Sequence, residues 1–269
     1  MKQITSIKQY KAQQKRNKIF IFLSQFLILI LFLGLWELAT RLKWIDSFLV
    51  SSPSEIYSLF CEYAKNNVLW PHIRISVIET LLGLFIGTLL GFFIATILYL
   101  IPPLSKVLDP YLIVLNALPK TALAPILIIW AGTNIKGIVV VSISLSIVVT
   151  IISTLSYFKS VDENLIKMMK TMNASPLQIL FKVVYPANLE NLLSVIKVNI
   201  GMSWVGVIVG EFLVSREGIG YLVVYGGQVF KLDLVMMGVF ILALIALFMY
   251  EVVNIIEKII RYKRNKAHH

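Results

Sequence analysis

The sequence predicts an all-α membrane protein, with six transmembrane helices and a helix–turn–helix presented on one side of the bilayer. Three observations carry that prediction. First, 58% of the 269 residues are hydrophobic and 14% are charged, whereas a soluble domain runs near ~45–50% apolar and ~25% charged; mean hydropathy is +0.83. Second, uncharged runs near the ~20 residues that cross a hydrocarbon core recur along the chain. Third, the basic residues cluster mostly between these runs, so the net charge of +11 reports orientation by the positive-inside rule. A soluble globule is excluded, because one core cannot hide that much apolar surface. Disorder and a coiled coil are excluded by the same composition. Cys61 is the single cysteine, so no internal disulfide is possible. A nucleic-acid partner, the usual meaning of such charge in a soluble protein, is not expected.

The chain divides as follows. Residues 1–18 form a basic tail with Lys2, Lys8, Lys11, Lys15, Arg16 and Lys18 and no acid. Residues 19–40 form the first transmembrane helix. Ile19 to Leu35 is uncharged, longer than the ~7–15-residue core of a secretory signal, and no small-x-small cleavage site follows it. A retained span with a cytoplasmic tail is therefore expected. Residues 41–71 form an outer loop with an amphipathic helix. Ser52 is its N-cap, Pro53 its first position and Glu55 its capping-box partner. Ile56, Leu59, Phe60 and Tyr63 follow at helical spacing, which suits a helix lying in the outer interface or meeting an external partner. Residues 72–257 hold the remaining spans, at about 76–99, 108–132, 137–158, 189–213 and 233–254. The third is irregular, broken by Pro119 and Pro125 and carrying Lys120. Residues 258–269 form a second basic tail with Lys258, Arg261, Lys263, Arg264 and Lys266. Six crossings place both termini on one side, and both basic tails make that side cytoplasmic. Thr133 to Lys136 and Ser215 to Lys231 then fall outside.

Gly83, Gly87 and Gly91 are spaced by four and share a helix face, and Gly206 and Gly210 repeat the spacing. They predict close helix packing, with a hinge as the alternative. The longest cytoplasmic loop, 159–186, is too polar to span. Val161, Leu165, Met168, Met169 and Met172 make a helical stripe. Asn173 suits a left-handed C-cap, and Ser175 and Pro176 suit the N-cap and first position of a second short helix. Leu177, Leu180 and Phe181 continue an apolar face to Tyr185-Pro186. Exposed apolar residues on a structured loop call for a partner.

The stretch Lys167-Met168-Met169-Lys170-Thr171-Met172-Asn173-Ala174-Ser175, followed by Val183-Val184-Tyr185-Pro186, resembles the cytoplasmic signature of ABC importer permeases. That signature reads Glu-Ala-Ala, three residues, Gly, nine residues, Ile-x-Leu-Pro. Asn173 takes the Gly position, Lys167 stands for Glu with the charge reversed, and Met168 and Met169 stand for the two alanines. Leu35-Trp36-Glu37-Leu38, Ser52-Pro53-Ser54-Glu55, Leu118-Pro119-Lys120 through Trp130-Ala131-Gly132, Ser160-Val161-Asp162 and Gly218-Ile219-Gly220-Tyr221-Leu222 resemble the nitrate/sulfonate/taurine-like permeases in particular, in one consistent order over residues 33–260.

The resemblance implies the type I ABC importer permease fold, with 72–257 as its transmembrane domain. It also implies the partners: a cytoplasmic ABC ATPase dimer docking on the loop, a second permease subunit as a homodimer, an extracytoplasmic solute-binding protein, and membrane lipid. The coupling residues it implies are Lys167, Met168, Met169, Thr171, Met172, Asn173, Ala174, Ser175, Pro176, Leu177, Tyr185 and Pro186. The cell would be a prokaryote and the site its plasma membrane. The solute would be nitrate, a sulfonate such as taurine, bicarbonate or a vitamin precursor. No Gly-x-x-x-x-Gly-Lys-Ser/Thr loop occurs, so ATP and Mg are expected on the partner ATPase, and no cofactor or metal on this chain.

Intramembrane polar residues mark pathway candidates. Lys120 lies about 12 residues into the third span, ~18 Å along its axis at ~1.5 Å per residue. It either pairs or snorkels within the bundle, or lines the route of an anion. Asn116, Thr121, Ser203 and Glu211 are its companions, with Glu79 and Glu211 expected near outer span ends close to water. A catalytic reading finds only a lone Ser203, with His72, His268 and His269 outside the spans and no His-Glu-x-x-His. The alternative transport reading is an ion-coupled carrier or channel, which needs no docking loop and often shows internal repeats.

Overall fold

The computed structural model describes residues 7–267; residues 1–6, with Lys2, and His268-His269 lie outside the described residues. In chain order the helices are α1 (Ile7–Arg41), α2 (Ser47–Val50), α3 (Pro53–Lys65), α4 (Leu69–Leu100), α5 (Pro102–Ala117), α6 (Lys120–Ala131), α7 (Ile135–Lys159), α8 (Glu163–Thr171), α9 (Pro176–Ile179), a π-turn (Leu180–Val184), α10 (Tyr185–Ala187), α11 (Leu189–Val214), α12 (Ile219–Gln228) and α13 (Leu232–Ala267). There is no strand among the described residues. α1, α4, α7, α11 and α13 are each long and apolar enough to cross a membrane.

The direction of each crossing follows from side-chain register. Gly83, Gly87 and Gly91 of α4 face Ser142, Ser146 and Thr150 of α7 in the same order, so these two helices run parallel. Gly206 and Gly210 of α11 face Ser142 and Ile138 in reverse order, so α11 runs antiparallel to both. Two parallel helices need a return crossing between them, and only α5 and α6 are available to make it. That return is a sharply bent pair of helices. Leu118 is extended at φ −64°, ψ 138°, as a residue preceding proline is forced to be, and the axes of α5 and α6 differ by 98°. Pro119 makes the break; Pro125 does not, because it lies inside α6, where its missing N–H removes one bond near the helix start.

The helices run beyond the apolar stretches, the first of which begins at Ile19 as expected. α1 begins at Ile7 and α13 continues to Ala267, so the spans extend as helix through most of both basic segments. Lys and Arg are good helix formers, and propagating an existing helix is far easier than starting one. The loop between α1 and α4 is anchored by α1. Glu37 accepts hydrogen bonds from Ser54 N (3.1 Å) and Ser54 Oγ (2.9 Å), and Trp36 Nε1 donates to Ser51 O at 3.1 Å. Ser52 caps α3 as expected, accepting from Glu55 N at 3.2 Å. The Glu55 side chain instead meets Ser51 Oγ at 3.5 Å, and Glu37 supplies the acid at this helix start. The apolar face of α3 packs on protein: Ile56 is buried with Leu69, Ile219, Leu222, Leu234, Met237 and Ile241, and Leu59, Phe60 and Tyr63 lie against them.

The centre of the bundle is α4–α7–α11. Lipid tails are as apolar as leucine, so helices here associate through close packing and hydrogen bonds rather than water exclusion. A Cβ added at Gly91 would lie 2.5 Å from Thr150 Cβ, one at Gly210 2.9 Å from Ile138 Cγ2, and one at Gly206 would strike the backbone of Ser142. Gly201, on the same helix, has nothing near it. Gly206→Leu should therefore lower the thermal midpoint of the purified protein by the equivalent of at least ~1–3 kcal/mol of overpacking, whereas Gly201→Leu should stay within ~0.5 kcal/mol. Equal midpoints for the two variants would show that this contact is not close.

Candidate functional site

The loop between α7 and α11 is helical through most of its length. Asp162 caps α8, accepting from Asn164 N at 2.9 Å. Asn173 sits at φ +57°, and Ala174 N reaches back to Met169 O at 3.0 Å, which ends α8 in a Schellman-type cap. Ser175 and Gln178 form a complete capping box at the start of α9, with Pro176 at its first position. Lys167 pairs with Glu163 at 3.2 Å on the exposed surface. Such a pair contributes little, so the reversed charge at Lys167 leaves the local fold undisturbed.

The stripe splits into two faces. Met169 and Ala174 join Ile166, Val183 and Tyr185 against a buried cluster of Phe158, Val161, Ile179, Leu180, Val184 and Leu192. Leu165, Met168, Met172, Leu177 and Phe181 stay exposed, Met172 at 71%. Lys167, Thr171, Asn173, Ser175 and Pro176 are exposed beside them. Ala174, one of the implied coupling residues, is partly buried against this cluster, because the cap folds it back over Met169. Tyr185 fixes the loop to the bundle: its hydroxyl shares a 2.7 Å hydrogen bond with Thr96 of α4, and its ring packs edge-on against Phe158 of α7 with centroids 5.0 Å apart. Pro186, beside it in α10, is exposed.

The pathway candidates are not brought together. Lys120 does not lie deep in a straight span; it opens α6 at the bend, where Nζ reaches Asn116 O (3.2 Å) and Asn116 Oδ1 (3.5 Å). Asn116 and Thr121 are exposed. Ser203 is fully buried at the α7–α11 contact, and its carbonyl accepts from Ser142 Oγ at 3.2 Å. It belongs to a buried polar seam in which Asn199 Nδ2 donates to Thr88 Oγ1 (2.9 Å) and Thr150 Oγ1 (2.8 Å). Lys197 is neutralised by Glu257 of α13, which places the C-terminal part of α13 beside the start of α11.

Glu211 differs most from expectation. It and Glu79 are each 1% exposed, so neither sits in water at a span end. Glu211 accepts from Ser76 Oγ (2.5 Å) and Gly220 N (2.5 Å), and Ser76 Oγ in turn accepts from Ile219 N at 2.8 Å. Gly218, at φ +105°, and Gly220 leave room for this carboxyl; a Cβ at Gly220 would lie 2.7 Å from Glu211 Oε2. The Gly218-Ile219-Gly220 turn thus wraps the last turn of α11. The pairing of His72 and Ser76 with this turn escaped the sequence reading, although His72, Ser76 and Glu79 follow the four-and-three spacing of one helix face and form a polar stripe on an otherwise apolar span.

Residues 87–264 match the family described as binding-protein-dependent transport system inner membrane component. A probable ABC transporter permease of Haemophilus influenzae is 29% identical over 85% of this chain and 92% of its own length. The riboflavin transport system permease RibX of Chloroflexus aurantiacus is 30% identical over 86% of this chain and 87% of its own length. The putative aliphatic sulfonates permease SsuC of Escherichia coli is 28% identical over 79% of this chain and 81% of its own length. Among solved structures, a chain of the inward-facing MetNI methionine ABC transporter shares the fold, with a TM-score of 0.59 at 15% identity over 68% of this chain and 93% of that one. The chain belongs to the family of inner membrane components of binding-protein-dependent transport systems and is a multi-pass permease subunit of an ABC importer.

Proposed function

We propose that this chain carries a small polar solute through a paired permease, driven by a cytoplasmic ATPase dimer seated on α8 and α9, with the solute delivered by an extracytoplasmic binding protein. The observation that carries the proposal is the two-faced loop. One face is locked to α4 and α7 through Tyr185; the other offers Met168, Met172, Leu177 and Phe181 to a partner. A force applied to the exposed face is delivered to the central helices without passing through a flexible joint. ATP and Mg belong to that partner. The second permease is a copy of this chain, and the solute class is that of the relatives: sulfonates, bicarbonate or vitamin precursors.

Sidedness follows from charge. The loop and both helical termini are the basic face, so they lie in the cytoplasm of a prokaryotic cell and Asn134 and Gln228 lie outside. Impermeant reagents should label a tag inserted at Asn134 or Gln228 in intact cells and should leave a C-terminal tag untouched until lysis. Labelling of the C-terminal tag in intact cells would reverse the topology.

Met172→Asp places an unpaired charge in the docking face without touching the bundle, and burying such a charge costs several kcal/mol. Purified variant should reach wild-type membrane levels, bind the ATPase at least ~100-fold more weakly, since each ~1.4 kcal/mol is tenfold, and lose ATP-driven uptake. Wild-type docking by the variant would place the ATPase elsewhere.

At the α5–α6 bend, Lys120 presents the cation for an anionic solute. Lys120→Met should lower uptake about tenfold, the loss of one charge-assisted hydrogen bond of ~1.5 kcal/mol, at unchanged membrane level. Unchanged uptake would leave Lys120 only its bond to Asn116.

A further inference from the structure

The segment joining α1 to α3 turns back toward the bilayer that α1 has just crossed. α1 ends at Arg41, and Lys43 follows at φ +56°. Lys43 N donates to Thr40 O at 3.1 Å and Trp44 N to Ala39 O at 2.9 Å, the two bonds that close a Schellman motif. Trp44 is thus held level with the last turn of α1 instead of running out into water. The chain then descends further. Trp36 Nε1 donates to Ser51 O, and Glu37 accepts from Ser54 N. Trp36 lies five residues before Arg41, ~7.5 Å deeper along the helix axis at ~1.5 Å per residue. It is also where the uncharged run Ile19 to Leu35 gives way to Glu37, so Ser51 is fixed at the level where hydrocarbon meets headgroups.

α2 lies between these two fixed points and therefore along that boundary. Asp46 caps it, accepting from Phe48 N at 2.9 Å, and none of its residues is buried. Trp44 is 75% exposed, Phe48 59% and Leu49 63%, with Leu42 and Ile45 exposed beside them. A patch of this kind marks a protein partner or a membrane. Two observations choose the membrane. One is the depth at which Trp44 and Ser51 are held. The other is α1 itself, whose apolar stretch is not buried by the rest of the chain; the segment folded onto its end shares its lipid surroundings. α3, which the sequence suits to the interface, does not take this role, because its apolar face is packed against residues of α4, α12 and α13.

We infer that residues 44–49 are a lipid-seated anchor on the side of the bilayer opposite the α8–α9 loop. Phe48 and Leu49 enter the boundary between acyl chains and headgroups, ~5–10 Å deep as for other interfacial segments. Trp44 lies at the headgroup level, where indole rings collect, and Arg41, Lys43 and Asp46 remain among the headgroups. The occupant of the patch is the phospholipid bilayer. Because Ser51 and Ser54 are bonded to α1, the anchor sets the depth at which α1 and α3 meet.

The test is electron paramagnetic resonance of the full-length chain in phosphatidylcholine nanodiscs. On a Cys61→Ser background, which removes the only thiol, a nitroxide is attached at Phe48→Cys or Leu49→Cys. The references are Ile28→Cys, within the apolar stretch of α1, and Lys43→Cys, at the turn. Collisions are measured with oxygen, which concentrates in hydrocarbon, and with a nickel chelate, which stays in water. All four labelled positions are exposed, so the variants should keep the wild-type thermal midpoint. The labels at Phe48→Cys and Leu49→Cys should meet oxygen several-fold more often than the chelate and fall between the two references. A label at either position that meets the chelate more often than oxygen puts α2 in water and overturns the inference. Protection of both labels from both reagents also overturns it, by placing protein over the segment.

Discussion

The fold depends on how closely α4, α7 and α11 approach. In hydrocarbon no water is released when helices meet, so contact must be gained by bringing backbones together. Gly83, Gly87 and Gly91 on one side and Gly206 and Gly210 on the other let α7 lie between two neighbours at near-backbone distance, with Ser142 touched from both. The hydroxyls this buries are largely spent within the bundle: Ser146 and Thr150 return hydrogen bonds to the preceding turn of α7, and Asn199 spans the seam between Thr88 and Thr150. A bundle joined this way resists sliding, because each of these glycines fits against a particular residue of α7.

That rigidity gives the two ends of the molecule a mechanical connection. α4 carries Thr96 at one end, held by the loop's Tyr185, and Ser76 at the other, held against the last turn of α11. α11 starts where the loop ends and finishes at Glu211. Any displacement of α8 and α9 therefore reaches the Gly218–Gly220 turn through two helices that contact each other along their length.

Much of this was legible in the sequence because the bilayer imposes simple rules. Apolar runs, uncharged in all but α11, located the five unbroken spans, the spacing of Gly83, Gly87 and Gly91 located the close contact, and Asn173-Ala174-Ser175-Pro176 located the turn and cap chemistry between α8 and α9. What stayed hidden was tertiary. The bend at Leu118-Pro119 was visible as a break, but its 98° angle is set by what α6 packs against, namely α7 through Ala124, Ile128, Val141 and Leu145. Ala174 was legible as a turn residue, but its partial burial was not, because sequence alone does not say which way a left-handed cap will turn the chain. Glu211 read as a solvated span end because sequence position gives depth and not burial: the turn that covers it lies beyond the helix, and its partner Ser76 comes from a helix far away in the chain.

The central claim is that movement of this chain is driven by ATP hydrolysis in a separate subunit. The most direct measurement is solute accumulation in proteoliposomes containing the purified chain, its ATPase and its binding protein, with and without internal ATP and in the presence of ionophores. The account predicts accumulation that requires ATP and both partners and is indifferent to collapse of ion gradients. Accumulation by the chain alone, abolished by the ionophores, would contradict it and make the protein an ion-coupled carrier.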